Sequence, residues 1–146
     1  MEIVPYWGID NTKLGNTRSE IKEILGKPDK IKKRVDQRET IADIWTYRLM
    51  RLELEFHALH NFKLSKIISR HPETLVLGFN PIGLNERYLL QKFPDLRTLE
   101  SNSKNQTFSD DVLKLSFTLV REKTESVTIH LQTNEDTGQI IWPVRS

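Results

Sequence analysis

The sequence predicts an α+β protein made of two tandem units. Each unit is a short helix followed by an antiparallel meander, with helices on one face of the sheet and the other face open. Three observations predict it. Residues 15–29 carry a helix with both ends marked. Residues 43–49 and 51–57 alternate apolar and polar side chains with period two, the pattern of a half-buried strand. A weaker copy of the same order follows from Gly83 onward.

In the first helix Thr17 stands at the N-cap and Glu20, three residues on, closes a capping box. Ile21, Ile24 and Leu25 form an i, i+3, i+4 apolar stripe. Gly26 suits the left-handed residue that ends a helix, and Pro28 prevents its continuation. Residues 31–36 are charged and suit an edge strand or loop, since lysines protect an edge from further pairing. Trp45, Tyr47 and Leu49, then Leu52, Leu54 and Phe56, mark the core sides of the next two strands. A third strand follows over 62–69, and His71-Pro72-Glu73 ends the first unit, giving units at 1–73 and 74–146 that together form one compact domain.

In the second unit a helix is expected at about 84–93. Residues 101–111, rich in Ser, Asn, Gln and Asp, read as a long turn. Strands are expected at 112–120 and 125–132, and a last short strand runs from Gln139 to Val144 after the Asp136-Thr137-Gly138 turn. Native twist would make the two meanders a broad concave surface.

At 146 residues the chain has the length of one ordinary domain. It has no cysteine, which excludes disulfides, thiolate metal sites and a cysteine nucleophile. No apolar run is long enough for a membrane-spanning helix, and residues 1–7 lack the basic and apolar regions of a secretory signal, so the expected location is cytoplasmic, without membrane insertion. Residues 1–77 hold 14 Lys/Arg against 11 Asp/Glu, and residues 78–146 hold 8 against 9. The basic stretch 27–38 is interrupted by Asp29 and Asp36, which argues against a nucleic-acid partner.

The pattern Gly15-x-Thr17-x-x-Glu20-Ile21-x-x-Ile24-Leu25-Gly26-x-Pro28-Asp29, followed by Trp45-x-Tyr47, resembles the SmpA/OmlA-type repeat. The second half matches in outline, through Gly83, Asn85, Leu89, Phe93, Pro94-Asp95 and Trp142. In tandem, such repeats make the BLIP-like fold of the beta-lactamase inhibitor protein. The chain lacks the acylated cysteine of the lipoproteins and the disulfides of the secreted inhibitor. The resemblance therefore implies a bacterial immunity protein or toxin inhibitor that binds its partner through a wide surface.

No phosphate loop, nucleophile elbow or zinc-protease motif is present. His57 and His60 are three apart but fall at a strand end, without the third ligand that zinc requires. Glu53 and Glu55 share a strand face, but they alternate with core residues beside Arg51, which suits charge pairing better than acid–base chemistry. The expected function is thus a non-enzymatic protein-binding domain, without metal or cofactor, that neutralises a toxin or enzyme encoded nearby. The alternative is a scaffold component of an envelope or multiprotein assembly. The partner-binding residues expected on the open face are Arg48, Glu53, Glu55, His57, Lys114, Ser116, Thr118, Thr128, His130 and Gln132. Mixed charge there would set specificity and association rate.

Overall fold

The computed structural model describes residues 1–102 and 104–143. The chain begins with three short strands, β1 (Glu2–Val4), β2 (Gly8–Ile9) and β3 (Thr12–Lys13). Helix α1 (Arg18–Leu25) leads into β4 (Lys30–Asp36), β5 (Glu39–Tyr47) and β6 (Leu52–His57). A single 3-10 turn at Ala58–His60 connects to β7 (Lys63–Ser69), followed by β8 (Leu75–Val76). Helix α2 (Glu86–Lys92) precedes β9 (Arg97–Ser101), β10 (Asn105–Asp110), β11 (Leu115–Val120) and β12 (Lys123–His130). A small hairpin, β13 (Gln132–Thr133) and β14 (Ile140–Ile141), follows. Val144, expected to end that last strand, lies outside the described residues.

The expected α+β class of tandem helix–meander repeats is overturned. Among the described residues the protein is mostly β, with 49% strand and 13% helix. The two α-helices among the described residues have eight and seven residues, two turns each, too short to form a layer. Strands dominate because the long elements join one eight-stranded sheet in the order β4-β5-β6-β7-β12-β11-β10-β9. A second sheet, β3-β2-β1-β8, shares the task of covering it. That sheet left no periodic signal, because two- and three-residue strands are shorter than the window over which alternation can be read. The expected long turn at 101–111 is also replaced, by the end of β9 and the whole of β10.

One face of the large sheet carries Trp45, Leu54, Phe56, Ile67, Phe108, Phe117 and Ile129. These pack in one cluster with Ile21 of α1, Leu89 of α2, and Ile3, Ile9 and Val76 of the small sheet. Ring contacts stiffen it, with Trp45 and Phe56 centroids 4.8 Å apart and Phe93 and Phe117 4.9 Å apart. Each such side chain contributes about 1.5–3 kcal/mol on burial. The cap of α1 forms as its sequence dictates: Thr17 Oγ1 accepts from the Glu20 N–H and Glu20 Oε1 accepts from the Thr17 N–H. Trp142 reaches back to the first half, against the Cα of Gly15, edge-on to His60 and beneath Lys63 Nζ.

Candidate functional site

The opposite face of the large sheet carries most of the polar side chains of its strands. Ala42 and Ile44 are buried there but stand apart from the core cluster, which fixes the sidedness. Register pairs define a row that crosses all eight strands: Lys30, Thr46, Glu53, Ile68, Thr128, Ser116, Ser109 and Arg97. At the ~4.8 Å spacing of neighbouring strands this row is about 34 Å long. Beside it runs a second row, Lys32, Ile44, Glu55, Lys66 and His130. A third crosses four strands as Ser126, Thr118, Thr107 and Glu100.

The first-half portion of this face is charged and paired. Glu55 is only 9% exposed, and its carboxylate accepts from Arg34 Nη1 at 3.0 Å with Lys66 Nζ 3.8 Å away. Glu53 accepts from Arg70 Nη1 at 3.2 Å, and Arg70 Nε also lies 3.4 Å from Glu125 on β12. Arg70 therefore bridges the seam where β7 meets β12.

The second-half portion is a patch of hydroxyls. Thr107, Ser109, Ser116, Thr118, Ser126 and Thr128 sit on three adjacent strands as two rows of three. Ser109, Ser116, Ser126 and Thr128 are buried although no element of the core cluster lies over them. Ser116 Oγ lies 2.8 Å from His130 Nε2. Burial, helped by the charges of Lys66 and Lys114, lowers the His130 pKa, so the ring is held neutral near pH 7. Among the described residues no carboxylate pairs with His130, so the pair lacks the third group that orients a catalytic base.

Of the ten residues expected to bind a partner, Glu53, Glu55, His57, Ser116, Thr118, Thr128 and His130 share this face. Arg48 stands at one end of it, in the β5–β6 hairpin, where its N–H donates to Asp29 Oδ2 at 2.7 Å. Lys114 stands at the other end, its carbonyl accepting from the His130 N–H at 2.9 Å. Gln132 is separate, paired with Ile141 in the small hairpin. His57 is partly engaged: its Nδ1 accepts from the Leu59 N–H at 3.1 Å. His60, whose pKa is lowered by burial and by His57, packs against Trp142. No group of three or more His, Asp or Glu placed to hold a metal ion occurs among the described residues.

Several residues of the face were missed. Lys66 and Ile68 were hidden, because positions 62, 64, 66 and 68 read Phe, Leu, Lys and Ile, the apolar parity, and only the register shift opposite Glu55 and Phe56 places Lys66 and Ile68 on the other face from Leu64. Thr107 and Ser109 were hidden because their strand reads as a turn; Phe108 between them is its one deeply buried apolar residue. Arg34 was read only as part of a charged edge.

No protein-family model matches the sequence, and no curated protein matches it. Among solved structures, the fold is similar to that of a DUF4309 family protein (YjgB) from Bacillus subtilis subsp. subtilis str. 168, with a TM-score of 0.55 and 13% identity over 87% of this chain and 88% of that one. A second, an extracellular protein containing a SCP domain from Bacillus anthracis str. Ames, has a TM-score of 0.48 and 12% identity over 94% of this chain and 53% of that one, so this chain matches about half of its length. The first likeness shows a shared fold. Nothing in these comparisons supports the immunity and inhibitor roles expected from the sequence, and the strand-dominated fold removes the α+β tandem-repeat description on which they leaned.

Proposed function

We propose that the chain is a non-enzymatic protein-binding domain that recognises its partner through the polar face of the eight-stranded sheet. One observation carries this reading: the register row from Lys30 to Arg97 is unbroken across all eight strands, while the helices and the small sheet pack with the core on the other side. A face of that width matches a protein surface better than a small ligand. Its two halves divide the work. The paired charges around Glu53 and Glu55 set orientation, because like-charged surfaces are rejected. The hydroxyl patch supplies neutral donors and acceptors whose desolvation is cheap beside that of ions.

The test compares two classes of variant in a tagged pull-down from native lysate, with the products of neighbouring genes co-expressed. Ile68→Arg and Thr118→Arg place a bulky cation on the face at partly exposed positions. Glu23→Arg places one on the exposed side of α1. A stoichiometric partner kept by Glu23→Arg and lost by both face variants is expected. A partner retained by both face variants would remove the face from the interaction.

A further inference from the structure

A cavity of about 570 Å³ opens at the foot of the sheet, where the β5–β6 hairpin meets the seam between β7 and β12. Its lining divides by chemistry. Arg48 and Arg51 stand on the hairpin; Tyr47, Leu52 and Ile82 form an apolar wall; Glu53, Arg70 and Glu125 close the far rim. We propose that this cavity binds a monoanionic carboxylate carried on an apolar body, an aliphatic or aromatic acid.

Four features select that chemistry. First, the cations are not equivalent. Arg70 is committed to Glu53 at 3.2 Å and Glu125 at 3.4 Å, whereas Arg48 and Arg51 form no ion pair among the described residues. Two guanidinium groups therefore remain to receive an anion, and their planar forks suit a carboxylate. Second, the far rim holds two carboxylates against one guanidinium, so the free positive charge is confined to the hairpin end, which suits a ligand with its one negative charge at one end of an apolar body.

Third, the hairpin holds both arginine backbones in place. The Arg48 N–H donates to Asp29 Oδ2 at 2.7 Å, the Arg51 N–H donates to the Arg48 carbonyl at 3.1 Å, and the Arg70 N–H donates to the Arg51 carbonyl at 2.9 Å. Arg51 has φ +52°, a left-handed position where glycine or asparagine is easier to place, yet the chain keeps a long cation there. Fourth, the wall is apolar in function as well as composition. Tyr47 and Leu52 are register partners, and the Tyr47 hydroxyl donates its proton to the Gly26 carbonyl at 2.8 Å, so it has none to offer a ligand in the cavity. The volume falls within the roughly 300–1,000 Å³ of small-molecule sites.

The experiment is calorimetric titration with sodium octanoate below its micelle concentration, beside octanol, acetate and inorganic phosphate. Saturable one-site binding is expected for octanoate alone. The double variant Arg48→Gln/Arg51→Gln should weaken it by about tenfold or more, the loss of charge-assisted hydrogen bonds. Both arginines are exposed, and native near-ultraviolet circular dichroism verifies the fold of the variant. Amide shifts on the unaltered protein give a second readout, with changes expected at Arg51, Leu52 and Ile82. No octanoate binding, equal affinity for octanol, binding unchanged in the double variant, or shifts confined to other regions would each overturn the proposal.

Discussion

The guanidinium of Arg34, on the edge strand β4, crosses β5 to meet the carboxylate of Glu55 on β6 at 3.0 Å. The residue beneath this crossing is Ala42, the register partner of Arg34, and it is fully buried. A larger side chain there would block the path. The edge strand is thus fastened to the sheet by an ion pair that spans two strand spacings, about 10 Å. Lys66 approaches the other oxygen of Glu55 from β7, so three strands contribute charges to one cluster that spans four adjacent strands.

Removing Arg34 leaves a nearly buried carboxylate facing only the more distant Lys66. Arg34→Ala should therefore destabilise the fold by about 1–2 kcal/mol, and Glu55→Gln by less, because the freed guanidinium is half exposed and returns to water. Urea unfolding of both single variants and the double variant checks this. A coupling energy near zero would show that the pair is held by the fold without contributing to it.

Where the sequence was legible, the signal was local. The alternation of residues 43–57 placed Trp45, Leu54 and Phe56 in the core, and the Thr17–Glu20 box placed the start of α1. The class failed because it weighed two short helices as a layer, while strands such as β1 and β8, paired in parallel across some seventy residues, leave no pattern in any window. The site was legible as a parity and hidden as a neighbourhood. Ser116 and His130 could be assigned to one face, but their 2.8 Å contact depends on strand register, and a bulge between Thr118 and Leu119 shifts that register further along the pair.

The capping box predicts a simple loss. Thr17→Ala removes the acceptor for the Glu20 N–H and should cost about 1 kcal/mol. Thr17→Ser keeps that acceptor and should lie within a few tenths of wild type. Thermal or urea unfolding distinguishes the two, and equal stabilities for the Ala and Ser variants would show the cap to be idle.

Two glycines with positive φ should respond differently to alanine. At Gly8, φ +153°, a Cβ would sit 2.0 Å from the Thr12 carbonyl oxygen, so the β2–β3 hairpin must move. At Gly26, φ +81°, a Cβ meets nothing within 4 Å and only the backbone conformation is strained. With ψ −167° Gly26 lies in a backbone region essentially reserved to glycine, and Gly26→Ala should cost about 1–3 kcal/mol. Gly8→Ala should cost more and should disturb amide signals of residues 7–13, because the added Cβ clashes with a backbone oxygen and no rotamer relieves it. Equal costs at the two sites would show that the hairpin yields freely.

The pH dependence of stability follows from His130. Burial lowers its folded pKa, with the charges of Lys66 and Lys114 adding to the effect, while the unfolded chain keeps the ordinary value of about 6.5. Below that value the unfolded state binds the proton and the folded state resists it. Stability from this group is therefore fully present above about pH 6.5 and is lost as the pH falls through the lowered folded value. His60 is shifted in the same direction and adds to the slope. In the folded state Ser116 meets the ring on one edge, and the Lys66 and Lys114 charges oppose protonation. His130→Gln keeps a polar partner for Ser116 and removes the titration. The denaturant midpoint of the wild type should fall more steeply than that of His130→Gln between about pH 7 and pH 5, and His60→Gln should lessen the slope further. Parallel profiles for wild type and His130→Gln would mean that protonated His130 is accommodated at the face, most directly by turning away from Ser116 into solvent.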